Sequence, residues 1–360
     1  PWAAAVPALL SFFAILALIL DAETAVSAAS AGLQLCLQTV VPSLFPFLVA
    51  ARLFTSSGAV EWCARVVGPV MGPAFGLPPQ GAAALVLGLL GGYPVGAQTA
   101  ATLYGERLLT KAEAERLLAF CSNAGPAFIF GMVGGLFGSG KIAAVLFGIH
   151  IVSALLTGLI FRPRGNQVLA SSGNTIRKPA SKLDFSAVMT GAVKTMGLIC
   201  GCILLFQVIV AFLERALGTW MPPAVEIGLS GLLELAGGCS RLPQLEAAGL
   251  RYCMASGFLA FGGLCVWLQT KSVIAPYGLT GRYYLSGKVL QGTIAVLLTW
   301  GIQVVYPSWL PRTLPTAAFP NHAGLLRATA IVTALFLCGL GIWCLRLRKK
   351  AGKEEALDVY

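Results

Sequence analysis

Apolar runs of about 20 residues recur along this chain, and no other property narrows its folding options as far. They lie near 3–20, 34–54, 117–138, 141–161, 187–213, 249–269, 285–305 and 326–346. A helix of that length crosses ~30 Å of hydrocarbon. Inside a bilayer every backbone amide must be bonded within the protein, so such runs form helices. The composition agrees: 57% of the residues are hydrophobic and 11% are charged, against about 25% charged in soluble domains. Residues 1–20 read as a first span and not as a removable signal, because no small-residue cleavage site is convincing.

Two further apolar pieces, 80–91 and 223–237, are too short to cross. Each begins at a double proline, Pro78-Pro79 and Pro222-Pro223, and each ends at a double glycine, Gly91-Gly92 and Gly237-Gly238. Proline suits a helix start and glycine a helix end. With their return segments they read as re-entrant hairpins over 80–102 and 223–245. The stretches that follow them correspond, "RLLAFCSNAGPAFIF" at 116–130 with "RYCMASGFLAFGG" at 251–263. The expected organisation is a first span with an external linker (1–33), repeat 1 (34–161), a basic cytoplasmic loop (162–186), repeat 2 (187–306), and an external loop, last span and basic cytoplasmic tail (307–360).

Lys and Arg set the expected orientation. The net charge is +11, and the basic residues gather in the central loop (Arg162, Arg164, Arg177, Lys178, Lys182) and the tail (Arg346, Arg348, Lys349, Lys350, Lys353). Both regions are expected in the cytoplasm, with others, Lys288 among them, near the same interface. This places the two halves in opposite directions. The fold class expected is therefore an all-α polytopic membrane protein with inverted repeats, two re-entrant helical hairpins and broken transmembrane helices. That plan belongs to secondary transporters, where half-helices and unwound backbone meet a substrate at the midplane.

Glu234 in "SGLLELAGG" is the sharpest site candidate, an acidic group in an apolar setting beside a hairpin tip, expected to couple an ion or proton. Ser122 and Asn123 in "CSNAGP" lie where Gly125 and Pro126 interrupt a span. Ser256, Gly257, Gly262 and Gly263 form the corresponding weak point of the second half, with Ser256 its polar side chain. Tyr93, Gln98 and Thr99 follow the first tip. These three, with Ser122, Asn123 and Ser256, are the expected substrate contacts. Lys194 either snorkels to the inner interface or faces the cavity and balances an anion. His150 and Gln207 are equally open between packing and proton relay.

Catalytic residues are expected to be none: two histidines, His150 and His322, fall at different depths, and carboxylates are not paired within a span. The ten cysteines form no CxxC pair, which argues against a metal or disulfide framework. No cofactor is expected, and no nucleic acid, since the positive charge sits in loops on one side. The expected partners are the lipid bilayer, an anionic small molecule, a coupling cation (Na+ or H+) and, as an assembly, a homo-oligomer.

The run "GGYPVGAQTAATLYGERLLTKAEAERLLAFCSNAGPAFIFGMVGGLFGSGKIAAVLFGIHIVSALLTGLIF" (91–161) resembles the sporulation integral membrane proteins of the YlbJ type, in the wider group with the nucleoside-recognition or Gate domain. The match is specific over about 70 residues and looser in the second half, through "GLLELAGG". The resemblance implies a multi-pass protein of the bacterial inner membrane, in the outer forespore membrane, that carries dipicolinic acid during spore formation. It places Tyr93, Ser122, Asn123 and Glu234 on motif positions. The alternatives it leaves are a nucleoside or nucleobase transporter and a non-transporting assembly factor for sporulation.

Overall fold

A computed structural model describes residues 2–56, 59–163, 184–306 and 308–310. The expected last span at 326–346, the basic tail and most of the central loop lie outside the described residues.

The first helix, α1 (Trp2–Leu20), is followed by a long one, α2 (Ala22–Phe54). Asp21 separates them by accepting from the Thr24 amide at 3.3 Å. Residues 22–33, expected to be a linker, are thus helical and continuous with the span. A short helix α3 (Ala59–Val66) leads to α4 (Gly68–Phe75) and α5 (Pro79–Gly91), which meet at 104°. Pro78 and Pro79 lack amide hydrogens, and the extended Pro78 (ψ 154°) prevents one continuous helix. Next come α6 (Val95–Gly105) and α7 (Lys111–Leu117). The start of α7 is a capping box, with Thr110 Oγ1 accepting from the Glu113 amide and the Glu113 carboxylate from the Thr110 amide at 2.7 Å. The half closes with α8 (Ala127–Leu136) and α9 (Gly140–Ile160).

The second half holds α10 (Phe185–Leu217), α11 (Pro223–Leu233), α12 (Leu235–Arg241), α13 (Ala248–Phe261), α14 (Gly263–Ile274) and α15 (Tyr284–Val305). Among the described residues, five helical segments are long and apolar enough to cross a membrane: α2, α9, α10, α13 continued by α14, and α15. α5 packs on α6, α11 on α12, α10 along α2, and α13 against α15.

Polarity runs the opposite way from a water-soluble protein. Leu205, Leu297, Trp300 and Val304 face outward, while Asn123, His150, Glu234, Thr270, Lys288 and Gln291 are buried. Hydrocarbon outside and polar groups satisfied inside is what a bilayer selects.

Two interruptions fall in the expected stretches, and the position of the second hairpin tip needs correction. The run 117–138 is interrupted in the CSNAGP stretch: α7 ends, residues 121–125 are unwound, and α8 begins after Pro126. The second hairpin turns at Glu234, and Gly237-Gly238 lie within its return arm α12. The break in the second half falls at Gly262-Gly263 (φ +84° and +81°), within the weak point expected over Ser256, Gly257, Gly262 and Gly263. Lys288, expected near the inner interface, is wholly buried on α15.

Candidate functional site: two hairpin tips and an unwound strand

The unwound stretch 121–125 threads past the hairpin of α5 and α6. A Cβ on Gly88 or Gly96 would overlap the Cys121 carbonyl oxygen, so only glycines allow this approach. At the tip, Gly92 (φ +79°) lies against Gly125. Side chains from neighbouring helices satisfy the freed backbone. His150 Nε2 on α9 accepts from the Ala124 amide at 3.1 Å. That bond assigns the proton of a neutral imidazole to Nδ1. Asn123 Nδ2 donates to the Phe120 carbonyl at 2.8 Å, and Asn123 Oδ1 accepts from Gln291 Nε2 at 2.9 Å.

Lys288 completes this cluster. Its Nζ donates to Gln291 Oε1 at 2.7 Å, to the Tyr93 hydroxyl at 3.3 Å and to the Ser122 carbonyl. Tyr93 in turn donates to the Leu259 carbonyl at 3.1 Å. That carbonyl lost its helical partner when the chain turned at Gly262-Gly263. The first hairpin tip thereby caps the break of the other half. Glu115 on α7 holds the entry to α15 by accepting from the Thr280 and Arg282 amides at 2.6 and 2.7 Å.

The second tip is built on Glu234. Its backbone is extended (φ −139°, ψ 118°), ending α11 and starting α12. The carboxylate accepts from the Ala236 amide at 2.9 Å, the Gly237 amide at 2.5 Å and Gln207 Nε2 at 3.1 Å. It therefore caps α12 with a charge favourable at a helix N-terminus. The arms pack closely, with Gly238 directly against Gly231. Arg241, in an ion pair with Glu214, fastens the base of the hairpin to α10.

Between the tips lies a cavity of about 50 Å³. Gly92, Tyr93, Ala124 and Gly125 line it from the first half, Glu234, Leu235, Ala236 and Gln269 from the second, with Phe128 and Ile199 beside them. That is room for roughly three to five waters.

Of the expected substrate contacts, the structure brings Tyr93 to the cavity together with Glu234. Ser122 and Asn123 are buried behind its wall, in the Lys288 cluster. Gln98 is engaged by Arg52 Nη2 at 3.4 Å, and Thr99 donates to the Val95 carbonyl of its own helix. Ser256 sits in a separate contact between α13 and α15, accepting from Thr299 Oγ1 at 2.7 Å. Lys194 is exposed on α10 and does not face the cavity. Sequence reasoning missed Lys288, Gln291 and Gln269. A signal existed for the first two: Lys288, Gln291, Gly292, Ala295 and Thr299 form a buried stripe at helical spacing on α15.

Helices sheathed in apolar side chains, with polar groups gathered around broken backbone, define a multi-pass integral membrane protein. Comparison with known proteins refines that class. Residues 37–167 match the Gate family, described as nucleoside recognition. The chain is also similar to the sporulation integral membrane protein YlbJ of Bacillus subtilis (strain 168), at 27% identity over 88% of this chain and 89% of the relative. These findings bear out the resemblance drawn from residues 91–161. No solved structure matches the chain.

Proposed function

We propose that this protein is a secondary transporter of a small organic anion, dipicolinate above others, acting in a bacterial membrane during spore formation. The observation that carries the reading is the convergence of both hairpin tips and the unwound stretch on one cavity. In the proposed architecture the hairpins are re-entrant and the halves inverted, so the cavity sits near the midplane. The outer forespore membrane is the proposed location, with the C-terminus in the cytoplasm.

The cavity is far smaller than the ~300 Å³ of an ordinary ligand pocket. It corresponds to a closed state, and a planar dicarboxylate enters only after one half moves against the other. Glu234 beside the substrate demands that negative charge be balanced, which supports carriage together with a cation. The sporulation role comes from the relative's name. A second reading is a nucleoside transporter. The description of the matching family favours it, and so does a lining of Tyr93, Phe128, Gln269 and Glu234, which offers ring contacts and hydrogen bonds.

Purified protein in liposomes should take up labelled dipicolinate and ignore uridine. Uptake of uridine alone would establish the second reading, and uptake of neither would return the protein to a role in assembly.

A further inference from the structure

Lys288 presents an unusual combination. It is fully buried on a membrane helix, and no carboxylate among the described residues pairs with it. All three of its donors are spent on neutral oxygens: the Ser122 carbonyl, Gln291 Oε1 and the Tyr93 hydroxyl. The Tyr93 ring, 5.1 Å from Nζ, adds the negative face of an aromatic system. An ammonium so engaged has no donor left for a substrate anion. Carbonyl, amide and hydroxyl oxygens converging from an unwound stretch, a helix and a hairpin tip make the cage that a bound alkali cation would take in broken-helix membrane proteins. Here a tethered ammonium fills it.

Three buried hydroxyls lie close by. Those of Ser122 and Thr270 interact with that of Tyr284, but none of the three makes a hydrogen bond of full geometry within the protein. The Nδ1–H of His150 is likewise without an acceptor. Unsatisfied buried polar atoms of this kind are where internal waters bind. Water held by the three hydroxyls gives a proton leaving Lys288 an acceptor that carries no charge.

We propose that Lys288 is a built-in cation that occupies, in place of sodium, the oxygen cage between the first hairpin tip and the unwound stretch. The charge of the cage changes by proton exchange with water. In that step the ammonium gives one proton to a water held by the Ser122, Thr270 and Tyr284 hydroxyls, and a neutral amine remains. The reverse step restores the charge. The titratable groups facing Lys288 are Tyr93 from the tip, Cys121 from the unwound stretch, His150 from α9 and Tyr284 from its own helix. That this exchange drives transport rests on the reading above; that the ammonium fills the cage does not.

Thermal unfolding of purified protein in sodium, potassium and choline chlorides tests the occupancy without any substrate. The wild type should unfold at the same temperature in all three. Lys288→Ala opens the cage and should be stabilised by sodium or potassium over choline by about 3 °C or more. Lys288→Met, which fills the space with an apolar chain, should show no such gain. Stabilisation of the wild type by sodium, or a Lys288→Ala protein as indifferent as Lys288→Met, overturns the proposal. If the variants do not fold, the wild-type comparison decides alone: indifference to sodium supports the proposal and stabilisation overturns it. In liposomes, dipicolinate uptake should persist when choline replaces sodium and should follow an imposed pH gradient. Absence of all uptake would sink the transport reading and leave the cage result standing.

Discussion

Glu234 does two things at once. It caps α12 through two backbone amides and it lines the cavity. A cap alone is worth about 1 kcal/mol. Glu234→Gln keeps one acceptor oxygen, so it should fold with a stability loss of about 1–2 kcal/mol. If the carboxylate couples a cation to transport, uptake should fall at least about tenfold, equivalent to ~1.4 kcal/mol of barrier. Wild-type uptake by this variant across the pH range would reduce Glu234 to its capping role. Asn123 makes a different case. Its amide joins the Phe120 carbonyl to Gln291, and Gln291 supports Lys288. Asn123→Leu strands partners at about 1–3 kcal/mol each. A lowered unfolding temperature is therefore expected, with any change in substrate affinity following from it. Unchanged stability would show that the amide faces the substrate instead.

At the scale of elements, the close approach of the first hairpin to the unwound stretch depends on two glycines. Alanine at Gly88 or Gly96 would drive a methyl into the Cys121 carbonyl oxygen, a backbone atom that cannot swing away. Each substitution should cost about 1–3 kcal/mol or more. Gly148, inside α9 with nothing within 4 Å of an added Cβ, is the control. There alanine should be neutral or stabilise by about 0.5–1 kcal/mol, because glycine is a poor helix former. Unfolding temperatures of the three variants test this, and equal losses at all three would mean that the hairpin is looser than the structure indicates. The second hairpin obeys the same rule, with Gly231 and Gly238 in contact across its arms.

For the whole molecule, the proposed inverted arrangement makes a topological prediction. Single cysteines at Gln80 and Gln244, in an otherwise cysteine-free chain, lie at the bases of the two hairpins, and neither residue is buried. An impermeant thiol reagent should reach Gln80→Cys from the cytoplasm and Gln244→Cys from the opposite side. Labelling of both from one side would end the inverted reading.

The spans were legible in the sequence because a hydrocarbon solvent leaves a run of 20 apolar residues one way to satisfy its amides. The short runs and their prolines likewise announced interruption, and Glu234 stood out because a carboxylate in such a setting is costly. Only tertiary structure decided the rest. The second tip falls at Glu234 and not at the glycines, because Gly238 is needed to let the arms touch. Lys288 reads locally as an interface lysine, since positive charge near a span end normally snorkels to water. Its burial depends on oxygens supplied by Tyr93 and Ser122, 195 and 166 residues away in the chain. A sequence records which groups are costly to bury, but which distant partners meet them is set by packing.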